Sequence, residues 1–500
     1  MDSRDYDFSK LQNGSDIRGI ALYGVDGELP NLGGIEAARI GEAFVLWLAE
    51  KKGINPSDMT IAIGSDPRLS GPELFDNMAR GMIYHGVDVL NAGIASTPAM
   101  FMSCVFPQTH ATAAVMITAS HLPYNRNGFK FFTEDGGLDK KDIKAILKYA
   151  ESDEQLDRLP WPKEGEMIES DLMELYSAHL RNLIIQGTGM EKPLEGLKIC
   201  VDAGNGSGGF YARDVLAPLG ADISASQFLN PDGTFPNHQP NPENKEAMAS
   251  ISKAVVENAC DFGIIFDTDV DRSAAVFGSG KEIARNGIVA MAAALIAEDH
   301  PGSTVVTDSI TSDQLAVFLE DKLGLKHYRF KRGYKNVINK AIELNDEGDN
   351  SWLAIETSGH AALRENYFLD DGAYLATKIV IKAANLKKEG KTLDSVLEGL
   401  TEPLEAKEVR FPITCDDFAP YADSVLEGFK AWAESQDDIT IVTPNYEGIR
   451  LSFGDGWCLL RKSLHDPIMP LNAESDREGG VDEILARVYD FLKDYENVRI

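Results

Sequence analysis

Thr60-Ile-Ala-Ile-Gly-Ser-Asp66 is an apolar, strand-like run that breaks into a polar turn. The pattern returns at Lys198-Ile-Cys-Val-Asp-Ala-Gly204 and again at Thr304-Val-Val-Thr-Asp-Ser309. A helix-like stretch follows each, at 71–84, 209–219 and 312–323. Strand, turn and helix in alternation predict βαβ units and mixed or parallel sheets. Three such openings predict three related α/β domains, whose repeat lies in pattern more than in identical residues.

The last hundred residues read differently. Strands are expected at 407–412 and 439–442, a hairpin at 450–453 and 457–461 across Gly454-Asp-Gly456, and a closing helix at about 481–492. This predicts a smaller α+β domain. Charged, proline-containing stretches at 153–169 and around 401–406 read as linkers.

The 500 residues exceed what one hydrophobic core usually supports, so several domains follow from length alone. With 43% hydrophobic and 25% charged residues the chain is ordinary globular material. A net charge of −31 argues against nucleic acid or an anionic membrane as partner, while leaving small anionic ligands open to a local basic cluster. Five scattered cysteines without a CxxC pair fit reduced, mostly buried thiols, with Cys200 and Cys260 packed in strand-like runs. The polar N-terminus and the lack of a long apolar run predict no signal peptide and no membrane span. A cytoplasmic placement is the simplest expectation, with an organellar form whose transit peptide has been removed as the alternative.

Four segments carry groups able to do chemistry. Thr118-Ala-Ser-His-Leu-Pro-Tyr-Asn-Arg-Asn-Gly-Phe-Lys130 follows an apolar run, which puts Ser120 in a turn beyond a strand. His121 and Lys130 stand nearby to manage protons or phosphate charge, although a Ser-His pair alone is more often ordinary turn chemistry. Asp261-Phe-Gly-Ile-Ile-Phe-Asp-Thr-Asp-Val-Asp-Arg272 delivers Asp267, Asp269 and Asp271 at alternate positions. Hard oxygen ligands so spaced suit Mg²⁺, and three like charges beside an apolar strand repel one another without a cation. An EF-hand is excluded because its sixth and twelfth positions would be Arg272 and Gly278 in place of Gly and Glu. In Ile355-Glu-Thr-Ser-Gly-His360, Glu356 can accept from two sugar hydroxyls and Ser358 adds a donor. In Trp457-Cys-Leu-Leu-Arg-Lys-Ser-Leu-His-Asp-Pro467, Arg461, Lys462, Ser463 and His465 supply what a phosphate needs, or else a solvated strand end.

Taken in order, these segments resemble the α-D-phosphohexomutase superfamily, most closely its phosphomannomutase/phosphoglucomutase branch. The resemblance spans nearly the whole chain. It includes Gly14-Ser-Asp-Ile-Arg-Gly19, Gly64-Ser-Asp-Pro-Arg68, Ser96-Thr-Pro98, Val201-Asp-Ala-Gly-Asn-Gly206, Pro231-Asp-Gly-Thr-Phe-Pro236, Pro240-Asn-Pro-Glu243 and Lys331-Arg-Gly-Tyr-Lys335. It implies four domains around a central cleft, expected at 1–185, 186–290, 291–405 and 406–500, each lending one loop. Ser120 matches the serine that carries phosphate. Asp267, Asp269 and Asp271 match the Mg²⁺ ligands, with a Ser120 phosphate oxygen completing the set. Glu356 and Ser358 match the sugar loop, and Arg461 and Ser463 the distal phosphate loop. Arg18, Lys130, Arg272, Lys331 and His360 match basic residues lining the cleft, Lys130 and His360 being the acid/base candidates.

The implied activity is interconversion of hexose 1-phosphate and hexose 6-phosphate, of mannose or glucose, by a monomer or homodimer that needs a hexose 1,6-bisphosphate. A phosphoglucosamine mutase is the enzymatic alternative, and a non-catalytic phosphosugar binder the alternative of another class. A serine hydrolase fits worst, because no GxSxG elbow surrounds Ser120. Leu122, Leu464 and His465 depart from the family's usual residues at their positions and bear on substrate preference.

Overall fold

The computed structural model describes residues 7–160, 163–463 and 466–500. The chain divides into two compact units. The first comprises Met1–Ala284, Ser358–Ala362 and Leu369–Ser395, and the second Arg285–Thr357, Leu363–Phe368 and Val396–Ile500.

In the first unit, Thr60–Ser65 lies at the heart of an eight-stranded mixed sheet. It pairs in parallel with Asp88–Ile94 on one side and Ala113–Ile117 on the other. Arg126–Thr133 then returns antiparallel against Ala113–Ile117, and Asp16–Ile20 joins it antiparallel. All five residues of Ala113–Ile117 are buried, as an unbroken apolar run requires when both faces of a strand are covered. The helices Gly34–Lys52, Gly71–Tyr84 and Lys140–Ala150 contribute Phe44, Leu48, Met78, Met82, Ile143 and Ile146 to one core with Ile61, Ile63 and Val115.

A second sheet of the same unit runs Glu282–Ile283, Ser273–Phe277, Phe262–Phe266, Ile199–Asp202. Phe262–Phe266 is parallel to Ile199–Asp202 and antiparallel to Ser273–Phe277, so the three aspartates occupy the connection between two antiparallel strands. Every residue of both of those strands is buried.

The second unit holds three parallel strands in the order Lys326–Arg329, Thr304–Thr307, Ser351–Ile355. It also holds an antiparallel sheet ordered Glu405–Pro412, Ile468–Ser475, Gly456–Leu460, Ile449–Ser452, Thr440–Ile441. The expected hairpin forms, Ile449–Ser452 pairing with Gly456–Leu460, and the last helix is Gly480–Leu492. Phe411, Phe429, Leu451, Leu471, Ile484 and Val488 close this β-rich part on its own core. Among the described residues no helix is long and apolar enough to cross a membrane.

Three details depart from the sequence reading. The stretch 153–169 does more than link: Met167–Glu169 adds in parallel to Asp88–Ile94 as an edge strand. All three of its residues are exposed, so no burial alternation betrays it. The helices expected at 209–219 and 312–323 are present but change pitch, with π turns at Tyr211–Leu216 and Phe318–Lys322. Cys260 is buried, yet it precedes the strand instead of lying in it.

Leu172–Thr188 and Gly372–Lys388 pack together in the first unit, and a buried polar contact joins them. The Tyr176 hydroxyl lies 2.7 Å from each oxygen of Asp371, the residue that caps Gly372–Lys388 by accepting from the Tyr374 amide at 2.8 Å. Tyr176→Phe removes that donor from a buried carboxylate. Equilibrium urea unfolding should show a loss of about 2 kcal/mol, the usual worth of a hydrogen bond to a charged group.

Candidate active site

Ala113–Ile117 ends at a turn in which Ser120 has φ of +50°, a left-handed conformation uncommon outside glycine. The turn aims the serine hydroxyl at the loop that follows Phe262–Phe266. Ser120 Oγ is 3.0 Å from Asp267 Oδ2 and 3.3 Å from Arg272 Nη2. The serine is only 7% exposed.

The aspartate loop turns at Val270, φ +68°, and brings one oxygen from each of Asp267, Asp269 and Asp271 within 4.8 Å of one another. All three side chains are buried. Burial, and then the charges of Asp271 and Asp269, push the Asp267 carboxyl well above the usual carboxylate range. Asp271 goes the other way: burial opposes ionisation, but Lys130, His360 and Arg272 together hold its carboxyl far below that range. Asp269 Oδ1 and Asp271 Oδ1 have no hydrogen-bond partner among the described residues. Buried carboxylate oxygens that accept no hydrogen bond, converging from one hairpin, fit a small divalent cation.

Protein cations surround the carboxylates without using up those oxygens. Lys130 pairs with Asp271 and lies 3.2 Å from Asp269 Oδ2. Arg272 reaches Asp267 Oδ2 through Nε at 3.2 Å and Nη2 at 3.1 Å. Arg18 ion-pairs with Asp16 at 2.9 Å, its other end 3.5 Å from the Thr118 carbonyl. His121 lies 2.7 Å from Arg272 Nη2; burial and the neighbouring Arg272 and Arg18 drive its imidazole down to about 2, so it is neutral. His360 is its opposite. Burial would lower it, but Asp370 and Asp271 raise it to about 9, and its Nδ1 bonds the Asp370 carboxylate.

Of the residues singled out in the sequence, the structure thus brings together Arg18, Ser120, His121, Lys130, Asp267, Asp269, Asp271, Arg272 and His360. Ser358 lies in the same unit, two residues before His360, its buried hydroxyl without a hydrogen-bond partner among the described residues.

Lys331, Glu356, Arg461 and Ser463 belong to the second unit. There Glu356 accepts from the Gly333 amide at 2.6 Å, which ties the segment after Lys331 to the sugar-loop candidate. Glu447 accepts from Ser309 and, at 3.2 Å, from the Arg332 amide. Burial and the nearby Arg332 lower the Arg461 guanidinium, whose buried Nε has no partner among the described residues. Ser463 Oγ accepts from the Asp466 amide at 3.2 Å. Leu464 and His465 lie outside the described residues.

Several contributors escaped the sequence reading. Thr97 caps Asp269 through its hydroxyl at 2.6 Å and its amide at 2.8 Å. Asp370 orients His360. The segment after Pro236 straps the serine loop: Gln239 donates to the His121 carbonyl at 2.5 Å, Asn241 accepts from Arg272 at 3.2 Å, and Glu243 faces the same guanidinium at 3.6 Å. Thr97, Asn241 and Glu243 sit inside stretches that carry the family resemblance and Gln239 just outside one, but nothing in one sequence says what they touch.

Family models described as phosphoglucomutase/phosphomannomutase, alpha/beta/alpha domains I, II and III match residues 10–157, 174–280 and 285–404. The phosphoglucomutase of Neisseria gonorrhoeae is 30% identical over 451 residues, covering 90% of each chain. The phosphomannomutase/phosphoglucomutase of Pseudomonas aeruginosa PAO1 is 28% identical over 426 residues, 85% of each. A crystal structure of a phosphoglucomutase/phosphomannomutase family protein from Burkholderia thailandensis superposes with a TM-score of 0.77 at 25% identity, covering 96% of both chains. Fold and matches together define an enzyme of the phosphotransferase class, a mutase of hexose phosphates. Within that class, the chain belongs to the phosphoglucomutase/phosphomannomutase family.

Proposed function

We propose that the chain interconverts the 1- and 6-phosphates of glucose and mannose through a phosphoserine at Ser120, by way of a hexose 1,6-bisphosphate. The observation that carries this reading is the Ser120 hydroxyl held in a left-handed turn, 3.0 Å from Asp267 of the aspartate triad and 3.3 Å from Arg272, with Lys130 paired to the triad's Asp271. Phosphoryl transfer asks little covalent chemistry of a protein and much in-line positioning and charge neutralisation.

In this reading Asp267, Asp269 and Asp271, with an oxygen of the Ser120 phosphate, would hold Mg²⁺. The ion supplies Lewis-acid withdrawal of charge from the phosphate when bound. Arg18, Lys130 and Arg272 neutralise the remaining phosphate oxygens. The bond between Ser120 Oγ and phosphorus breaks as a sugar hydroxyl takes the phosphoryl group. The hydroxyl's proton leaves and Ser120 Oγ is protonated, an exchange for which Lys130 and His360 are the proposed acid/base residues. The bisphosphate turns about and returns its other phosphoryl group to Ser120. Glu356 and Ser358 hold hydroxyls near the pseudo-symmetric middle of the ring in both orientations. Arg461, Ser463 and Lys331 hold the phosphate that is not reacting, and His121, beside Ser120, contacts the substrate.

We further assign domains to 1–185, 186–290, 291–405 and 406–500, a monomer or homodimer as the working form, and a cytoplasmic location. A coupled assay with glucose 1-phosphate, mannose 1-phosphate and glucosamine 1-phosphate, each with Mg²⁺ and a trace of the matching bisphosphate, tests the substrate assignment. Turnover of the first two is expected. Preference for the third moves the chain to the amino-sugar branch, and no turnover of any, with phosphate on Ser120, refutes the assignment.

A further inference from the structure

Asp66 and Arg68, from the stretch after Thr60–Ser65, take no part in the reaction as derived so far. Both are buried beside the serine loop, with no side-chain exposure. An arginine has five N–H donors, and Arg68 uses all five. Nε donates to Asp66 Oδ2 at 3.1 Å. The other four go to main-chain carbonyls of a single loop: Nη2 to Ser120 and, at 2.7 Å, Leu122; Nη1 to Pro123 at 2.6 Å and Arg126 at 3.0 Å. The loop is wrapped around this guanidinium as around a core. Phe235, from the second sheet's domain, closes the far side with its ring 5.3 Å from the guanidinium carbon.

The other side of Ser120 is held as firmly. Its amide donates to Thr118 Oγ1 at 2.8 Å, and that hydroxyl donates to Asp66 Oδ2 at 2.7 Å. One carboxylate oxygen therefore anchors both holders, Thr118 on the N–H of Ser120 and Arg68 on its C=O. A left-handed serine persists only where its surroundings over-determine it. Here they do so at the two peptide groups whose orientation sets φ and ψ.

We propose that Arg68 and Thr118 are positioning residues for Ser120: by fixing the peptide group on either side they hold its left-handed turn and keep Oγ aimed at the aspartate triad. Neither touches the reacting atoms. The proposal rests on Ser120 being the phosphoryl carrier, and the experiment separates the two.

Dephosphorylated full-length wild type, Thr118→Val, Thr118→Ser and Arg68→Lys are mixed with glucose 1,6-bisphosphate, and phosphate on Ser120 is followed by mass spectrometry. Steady-state kcat and KM and thermal melting are measured alongside. Thr118→Val keeps the shape and loses the acceptor; a misplacement of about 1 Å at the reacting atom should lower both the phosphorylation rate and kcat about 100-fold, with KM within about threefold. Thr118→Ser restores the hydroxyl and should restore most of both rates. Arg68→Lys should fall at least as far as Thr118→Val, since an ammonium serves at most three of the five acceptors. Folded Thr118→Val and Arg68→Lys proteins that phosphorylate Ser120 at the wild-type rate overturn the proposal, as does a rise in KM at unchanged kcat. A wild type that takes no phosphate on Ser120 overturns the carrier reading, and this proposal with it.

Discussion

Ser120→Ala is expected to abolish mutase turnover, by about 10⁴-fold or more, the scale on which removal of an enzyme's nucleophile is felt. The Ser120 hydroxyl lies against the aspartate triad, whereas the Thr118 hydroxyl of the same loop is engaged with Asp66. Its neighbours cannot stand in. His121 is neutral and occupied with Arg272, while Lys130 is committed to Asp271 and Asp269. The fold should be indifferent to the change. What is lost is a single hydroxyl that lies 3.0 Å from Asp267 and 3.3 Å from Arg272, while the contacts that shape the loop run through main-chain atoms of residue 120. Melting temperature should stay near the wild-type value, and calorimetric titration with glucose 6-phosphate should still show binding. Turnover at an undiminished rate in the purified variant would sink the phosphoserine mechanism.

The sequence was most legible where one residue type has one job. Three aspartates at alternate positions after an apolar strand read as a cation site, and the structure gathers an oxygen of each within 4.8 Å. Apolar runs ending in polar turns read as buried strands, and Thr60–Ser65, Ile199–Asp202 and Thr304–Thr307 are such strands. The weakness lay in residues whose meaning depends on a partner far along the chain. Arg68 stands in the sequence only inside a stretch that matches the family, with no role to read until the carbonyls of Ser120, Leu122, Pro123 and Arg126 are seen around it. Thr97 and Asp269 are 172 positions apart, and no periodicity connects a helix start to a hairpin in another sheet. Met167–Glu169 fails for a different reason: three exposed edge residues carry no hydrophobic pattern, and only the neighbouring strand makes them a strand.

The same electrostatics that hold the aspartates together set the second large effect. Without a bound cation the first unit keeps three buried carboxylates close together, two of them with an oxygen that accepts no hydrogen bond among the described residues, against Lys130, Arg272 and His360. A cation binding the folded chain and not the unfolded one should raise stability by about 2.7 kcal/mol at a hundredfold excess over its dissociation constant. Wild-type melting should therefore rise with added MgCl₂ and fall back with EDTA. In Asp269→Asn the shape is nearly kept and the Thr97 hydroxyl retains an acceptor, but one ligand charge is gone. That variant should melt no lower than the metal-free wild type, because like-charge repulsion is relieved, and it should show little or no MgCl₂-dependent gain. Its turnover should fall about 100-fold or more, as expected where charge neutralisation in the transition state is impaired. The two readouts together isolate the cause. Lost turnover with an intact MgCl₂-dependent rise would remove Asp269 from the ligand set, while a variant that melts well below the metal-free wild type would mean that Asp269 stabilises the fold through Lys130 and Thr97 more than it repels its neighbours.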